Sequence, residues 1–267
     1  MPYKLLSSLT AILIGFISIG QTSNRFSVSP EYSVTIYGLV SSNLPSSDFY
    51  VSEAGQAFVP INGGVYNPKD STWFIPPKAG RIISSFSANA IDSAIILAYK
   101  ENDSSTIHYL KANRKLGFDD AILASLDPGF YNVNYKNNTL VIWGRNKGLY
   151  RIGYLGRDSL KWVVNIPEKI SSVFLDNHGT IYFSAANKII NYNINEVVAQ
   201  LDTTITGFSF LESRFLVVST PQGVYTNESG NFKAIATDLD GLIKTYGKDV
   251  YILSNRKSLL VKLSKRV

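Results

Sequence analysis

The sequence predicts an all-β protein, a six-bladed β-propeller of four-stranded antiparallel blades whose ring is closed by an N-terminal strand. Three observations carry this reading. From Phe130 onward, short runs of Val, Ile, Leu, Phe and Tyr are cut by Gly, Asn, Asp and Pro at short, regular intervals, the pattern of a sandwich, barrel or propeller. Long helical periodicity is absent after the first 20 residues. One hairpin recurs along the chain, and this selects the propeller.

The chain opens with Lys4, an apolar run from Leu5 to Ile19, and Ser18-Ile19-Gly20 before a polar stretch. This order of charge, apolar segment and small-x-small site predicts a secretory signal peptide over residues 1–20, cleaved after Gly20. The run is short against the roughly 20 residues needed to cross a bilayer. No later window approaches a span, so residues 21–267 are expected to form one exported propeller domain with no membrane span after cleavage, in the periplasm, at the cell surface or secreted. The sequence has no cysteine, which excludes disulfides, thiol nucleophiles and Cys-ligated metals. An exported chain of this kind is held by its core alone, and a single domain of this size buries enough apolar surface to manage it. With 16 Tyr, 14 Phe and one Met, the composition favours strands.

Four hairpins define the repeat: NNTLVIWGRNKGLYRI from Asn137, HGTIYFSAANKIINYN from His178, ESRFLVVSTPQGVYTN from Glu212 and GKDVYILSNRKSLLVKL from Gly247. Each has a strand, a turn rich in Gly, Asn or Lys, and a second strand. Aligning Val141, Tyr182, Leu216 and Tyr251 gives spacings of 41, 34 and 35 residues. Looser copies begin at Asp92 and Gly55. A further short strand precedes each hairpin, and another usually follows it, which makes four strands per unit of about 40 residues, the pattern of a propeller blade. The last unit supplies only three strands before Val267, while FSVSPEYSVTIYG, Phe26 to Gly38, is strand-like and belongs to no blade of its own. It is therefore expected to complete the last blade and remove the edges an open array would leave.

The stretch DNHGTIYFSAANKIINYN resembles the repeat of the two-component-regulator propeller family and, more loosely, NHL-type bacterial repeats. Asp176, Gly179, Tyr182 and Tyr192 occupy matching positions, and the copy at 137–152 keeps Trp143, Gly148 and Tyr150. The resemblance implies a propeller with a sensing or binding role and carries over no catalytic residue.

Little in the chain suggests catalysis. The two histidines, His108 and His178, have no neighbours at metal-ligand spacing and are read as structural or surface residues. TDLDG, Thr237 to Gly241, lacks the ligand spacing of an EF-hand and is read as a turn. No Ser-His-Asp context or glycine-rich phosphate loop is legible. The strands expected to line the channel, IISSFS, FYNVNY, ISSVFL, ITGFSFL and LIKTY, offer Ser, Asn, Thr and one Lys, and no carboxylate or His for general acid/base work. Trp73, Trp143 and Trp162 are read as packing between neighbouring sheets. No catalytic residue, metal or cofactor is expected.

What remains is a surface. Interblade loops and hairpin turns should share one face, with Asp127, Glu168, Asp202 and Asp240 ringing the channel mouth and Arg145, Lys147, Lys188, Arg256 and Lys257 farther out. The formal charge of +6 is spread over scattered residues, whereas nucleic-acid binding calls for a continuous basic stripe, so no nucleic-acid partner is expected. The sequence is read as an exported, non-catalytic binding or scaffold module for a protein or glycan partner on that face. A propeller enzyme of the lyase, lactonase or glycosidase type with bound calcium, and a subunit of a cell-envelope assembly, are the alternatives.

Overall fold

The computed structural model describes residues 26–39, 48–89, 94–101, 104–113, 117–136, 139–155, 159–254 and 256–266; the expected signal peptide at 1–20 lies outside them. All regular structure in the described residues is β. The chain begins with β1 (Ser27–Val28) and β2 (Tyr32–Gly38), then enters six sheets in succession. Blade 1 holds β3 (Tyr50–Val51), β4 (Ala57–Ile61), β5 (Gly64–Asn67) and β6 (Thr72–Ile75). Blade 2 holds β7 (Arg81–Asn89), β8 (Ala94–Glu101), β9 (Ser104–Asn113) and β10 (Gly117–Leu126). Blade 3 holds β11 (Phe130–Lys136), β12 (Thr139–Asn146), β13 (Leu149–Leu155) and β14 (Leu160–Ile166). Blade 4 holds β15 (Ile170–Leu175), β16 (Ile181–Ala185), β17 (Lys188–Asn191) and β18 (Glu196–Gln200). Blade 5 holds β19 (Gly207–Leu211), β20 (Phe215–Thr220), β21 (Gly223–Thr226) and β22 (Lys233–Thr237), and blade 6 holds β23 (Leu242–Tyr246), β24 (Asp249–Ser254) and β25 (Leu259–Lys265).

Six apolar clusters fill the six spaces between neighbouring sheets, the last of them joining blade 6 to blade 1 through Tyr251, Leu253 and Leu260 against Val59, Ile61 and Tyr66. This is the signature of a closed ring, and the protein is a six-bladed β-propeller. The second strand of each blade is covered on both faces by its neighbours. TLVIWG in β12 and DVYIL in β24 are therefore apolar at consecutive positions rather than alternate ones, as strands buried on both faces are. Outer strands face solvent and read differently: EVVAQ in β18 is almost wholly exposed. Trp143 is buried between blades 3 and 4, and Trp73 and Trp162 are half-buried against two other interblade clusters, in keeping with a packing role.

The N-terminal segment closes the ring, but it does so in two pieces. Strand β2 is the outermost strand of blade 6, antiparallel to β25 in unbroken register from Tyr32 opposite Lys265 to Gly38 opposite Leu259. Strand β1 instead adds a fifth strand to blade 5, with Ser27 opposite Thr237 and Val28 opposite Ala236. Between them Pro30 occupies the second position of a turn in which Tyr32 N–H donates to Ser29 C=O at 3.0 Å, a position that suits the fixed φ of proline. In blades 1 to 5 the pairing of third and fourth strands slips by a residue. Such bulges increase local twist, whereas the strand borrowed by blade 6 pairs with no slip.

At the axis, small hydroxyl side chains join one inner strand to the next. Ser85 Oγ accepts from Val133 N–H at 3.1 Å and Ser87 Oγ from Tyr135 N–H at 3.0 Å, while Ser84 Oγ donates to Tyr131 C=O. Ser171 Oγ donates to Ile205 C=O at 2.7 Å, and Ser209 and Thr245 hydroxyls meet at 2.9 Å. Gly207 marks a close approach of blades 5 and 6: a Cβ there would lie 2.5 Å from Gly241 C=O.

Deleting residues 26–38 uncovers two sheet edges and is expected to lower the melting temperature by roughly 10 °C or more, at about 2–4 °C per kcal/mol for a domain of this size; an unchanged calorimetric melt would refute closure by this segment. Gly207→Ala should push blades 5 and 6 apart and lower unfolding stability by roughly 1–3 kcal/mol, measured by chemical denaturation.

Candidate functional site: the interblade-loop face

The loops entering the inner strands and the turns joining second to third strands lie on one face, as the topology of an antiparallel blade requires. On this face a hollow of about 550 Å³ opens at the axis. Blade 3 contributes Phe130, Asn132, Arg145 and Tyr150; Lys169 and Ser171 come from blade 4, Thr206 from the approach to blade 5, and Asp240 and Arg256 from blade 6. Arg145 stacks over Tyr150, its guanidinium carbon 5.6 Å from the ring centroid. Among the described residues, no carboxylate forms an ion pair with Arg145, Lys169 or Arg256. The hollow therefore presents three uncompensated cations and one acid, Asp240.

Arg145 and Arg256, expected farther out than the acids, line the hollow beside Asp240. Asp127 is held at the corner between blades 2 and 3, where Asn146 Nδ2 donates to it at 2.8 Å. Glu168 and Lys188 line a separate groove of about 630 Å³ between blades 3 and 4. Lys147 is exposed in a turn with φ of 48°, Asp202 is exposed in an interblade loop, and Lys257 is half-buried in the turn of blade 6. Lys169 was not singled out from the sequence. Its signal is positional, since it immediately precedes an inner strand and so sits at the mouth.

Behind Asn132 of the hollow sits a buried ion pair whose carboxylate comes from a loop residue and not from an inner strand. Asp48, just ahead of β3, is buried, and Lys244 Nζ of β23 donates to it at 2.8 Å. Asp48 Oδ1 accepts from the N–H of Phe49 at 3.0 Å, and its own N–H reaches Asn132 Oδ1 at 3.4 Å. Asp48 thus ties blade 1 to blades 6 and 3 across the axis. Asn132 belongs to the loop-face hollow and Lys244 to a second hollow on the other side, so this pair separates the two. All of its bonds are internal to the ring.

The remaining sequence motifs are structural. Asp176 Oδ1 accepts from the N–H groups of His178 and Thr180, both at 2.8 Å, and Gly179 takes φ of +81°, so the D-x-x-G pattern is a turn stabilised by its own aspartate. Asn193 and Asn227, at matching points of blades 4 and 5, accept from the N–H of Ile181 and Leu216 at 2.9 and 2.7 Å. His108 lies 2.9 Å from Thr106 Oγ1 and packs edge-on to Tyr99. Among the described residues no cluster of His, Asp and Glu suits a metal ion, and no helix is long and apolar enough to cross a membrane.

Solved structures share this architecture at low identity. The PQQ-bound aldose sugar dehydrogenase of Streptomyces coelicolor is 9% identical with a TM-score of 0.56, over 89% of this chain and 99% of that one. A gluconolactonase of Xanthomonas campestris is 11% identical with a TM-score of 0.59, over 82% of this chain and 86% of that one. A chain of the nidogen/laminin complex is 13% identical with a TM-score of 0.57, over 74% of this chain and 85% of that one. No protein-family model matches the chain, and no curated protein matches it in sequence. These likenesses establish the propeller. They extend to enzymes and to protein-binding chains alike, and the kinship with regulator propellers stays a resemblance of motif.

Asp48→Ala would strand the Lys244 charge inside the ring and is expected to cost roughly 3 kcal/mol of unfolding stability. The double variant Asp48→Ala/Lys244→Met should recover most of that loss, and a double-mutant cycle by chemical denaturation measures the difference.

Proposed function

We propose that the protein is an exported binding or scaffold propeller that docks an acidic protein partner on its interblade-loop face. One observation carries the reading: Arg145, Lys169 and Arg256, from three different blades, line one hollow with no ion pair to any described carboxylate. Uncompensated cations around a concave surface raise encounter rates with anionic partners and bias their orientation. Arginine stacked on an aromatic ring is suited to this task, because its fork is held ready for a carboxylate. Tight loops built on Pro and Asp give the surrounding rim a fixed shape. The dehydrogenase and lactonase likenesses bring no residue to this chain, so they add no catalytic assignment. Export rests on the N-terminal signal read from the sequence.

The test is affinity capture from cell-envelope extract by residues 21–267, run beside the triple variant Arg145→Ser/Lys169→Ser/Arg256→Ser. An acidic protein held by the wild type, released by rising salt and bound roughly tenfold or more weakly by the variant supports the reading. Equal capture by both forms, or retention of an anionic glycan in place of protein, overturns it.

A further inference from the structure

At the opposite mouth of the ring, the ends of the inner strands enclose a second hollow of about 290 Å³ to which all six blades contribute. Its wall carries the rings of Tyr50, Phe86, Tyr135, Phe174 and Tyr246. Phe86 meets Tyr50 edge-on, with centroids 5.4 Å apart, and both Phe86 and Phe49 are buried. Two lysines line the hollow, Lys136 and Lys244. Lys136, the last residue of β11, has its ammonium 5.8 Å from the centroid of Phe174. Among the described residues it has neither an ion-pair nor a hydrogen-bond partner.

The other charges at this hollow are Lys244 and Glu53, which line it, and Asp176 beside it. Lys244 is held by Asp48, Asp176 accepts the N–H groups of its own turn, and Glu53 lies in an exposed turn at the rim. Burial holds the Lys136 ammonium below the usual lysine range, with Asp176 and Glu53 opposing that shift. The same burial, reinforced by Glu53, pushes the Tyr50 hydroxyl up to about 12, so it remains a neutral donor. A half-buried cation without a counter-ion is costly, and an aromatic face offsets that by only about 0.5–2 kcal/mol. An entering anion would complete it through a charge-assisted hydrogen bond.

We propose that this hollow is a second binding site, for a small carboxylic acid with an aromatic or compact apolar body, its carboxylate on Lys136 Nζ and its body against Tyr50 and Phe174. Its volume, at the lower end of ligand pockets, limits the body to about a single ring. The site is independent of the loop face, from which the Asp48–Lys244 pair separates it.

Benzoate is the probe, titrated by calorimetry into residues 21–267. Wild type is expected to bind it, with acetate and benzyl alcohol each weaker by about tenfold or more, because one lacks the body and the other the charge. Lys136→Met should lose benzoate to the same degree, and Arg145→Ser/Lys169→Ser/Arg256→Ser should keep it. Should Lys136→Met fail to fold, wild type alone decides: benzoate, and not benzyl alcohol, should slow acylation of Lys136 by a succinimidyl ester, read by peptide mass spectrometry. No binding of benzoate at millimolar concentration, loss of binding in the loop-face variant, or acylation indifferent to benzoate overturns the proposal.

Discussion

The inner strand of a propeller blade is a sheet edge turned towards the axis, and the whole ring depends on how that edge is satisfied. Its N–H and C=O groups on the axial side have no ladder partner within the blade. Serine resolves this in the present chain. A side chain of that size admits the next blade closely, and its hydroxyl both donates and accepts, so Ser84, Ser85 and Ser87 meet backbone groups of Tyr131, Val133 and Tyr135 in the adjoining blade. Each such bond adds only about 1 kcal/mol net, but an unmet buried group would cost about 1–3 kcal/mol. The serines of the inner strands are thus requirements of ring closure, and Gly207, with no room for a Cβ, shows the same constraint between blades 5 and 6.

That constraint decides where chemistry can sit. The middle of the axis is filled by hydroxyl contacts and by one ion pair, Asp48 with Lys244, whose remaining bonds are also internal to the ring. Along the axis, the two hollows lie at the two ends of the inner strands. The two ends differ because the chain treats them differently. Loops between blades bring long polar segments to one mouth, and Arg145, Lys169 and Arg256 come with them. At the other mouth the inner strands turn back directly into the second strands, so the wall is built from strand ends, and strand ends here are aromatic.

Much of this was legible in the sequence, for a physical reason. Second strands are buried on both faces and produce unbroken apolar runs, and the turns beside them need Gly, Asn or Asp, so the unit repeats visibly. The closing role of residues 26–38 followed from counting strands. Its division into two pieces did not, although Pro30 marks the break, because the pairing of Ser27 and Val28 with blade 5 leaves no periodic trace. The inner strand of blade 1 escaped notice for a similar reason: Tyr50–Val51 is two residues long, and Asp48 ahead of it reads as loop. The cationic hollow was illegible as a unit. Arg145, Lys169 and Arg256 lie far apart in the chain, and whether a turn residue leans towards the axis or the rim depends on the curvature of the whole ring.

The division of the axis also bears on what one ring can do with two sites. The loop-face hollow is open, polar and framed by turns, and suits an extended partner surface held by several charges that solvent can reach. The opposite hollow is narrower and ring-lined, with a single uncompensated ammonium, and suits a compact ligand whose anion is desolvated on entry. Lys244 faces the narrower hollow, while its partner Asp48 donates its backbone N–H to Asn132 Oδ1 on the other side. A ligand anion that drew the Lys244 ammonium away from Asp48 would leave a buried carboxylate without its cation, an unfavourable state. The pair therefore resists competition for Lys244, which leaves Lys136 as the ammonium for an entering anion and keeps the two hollows independent.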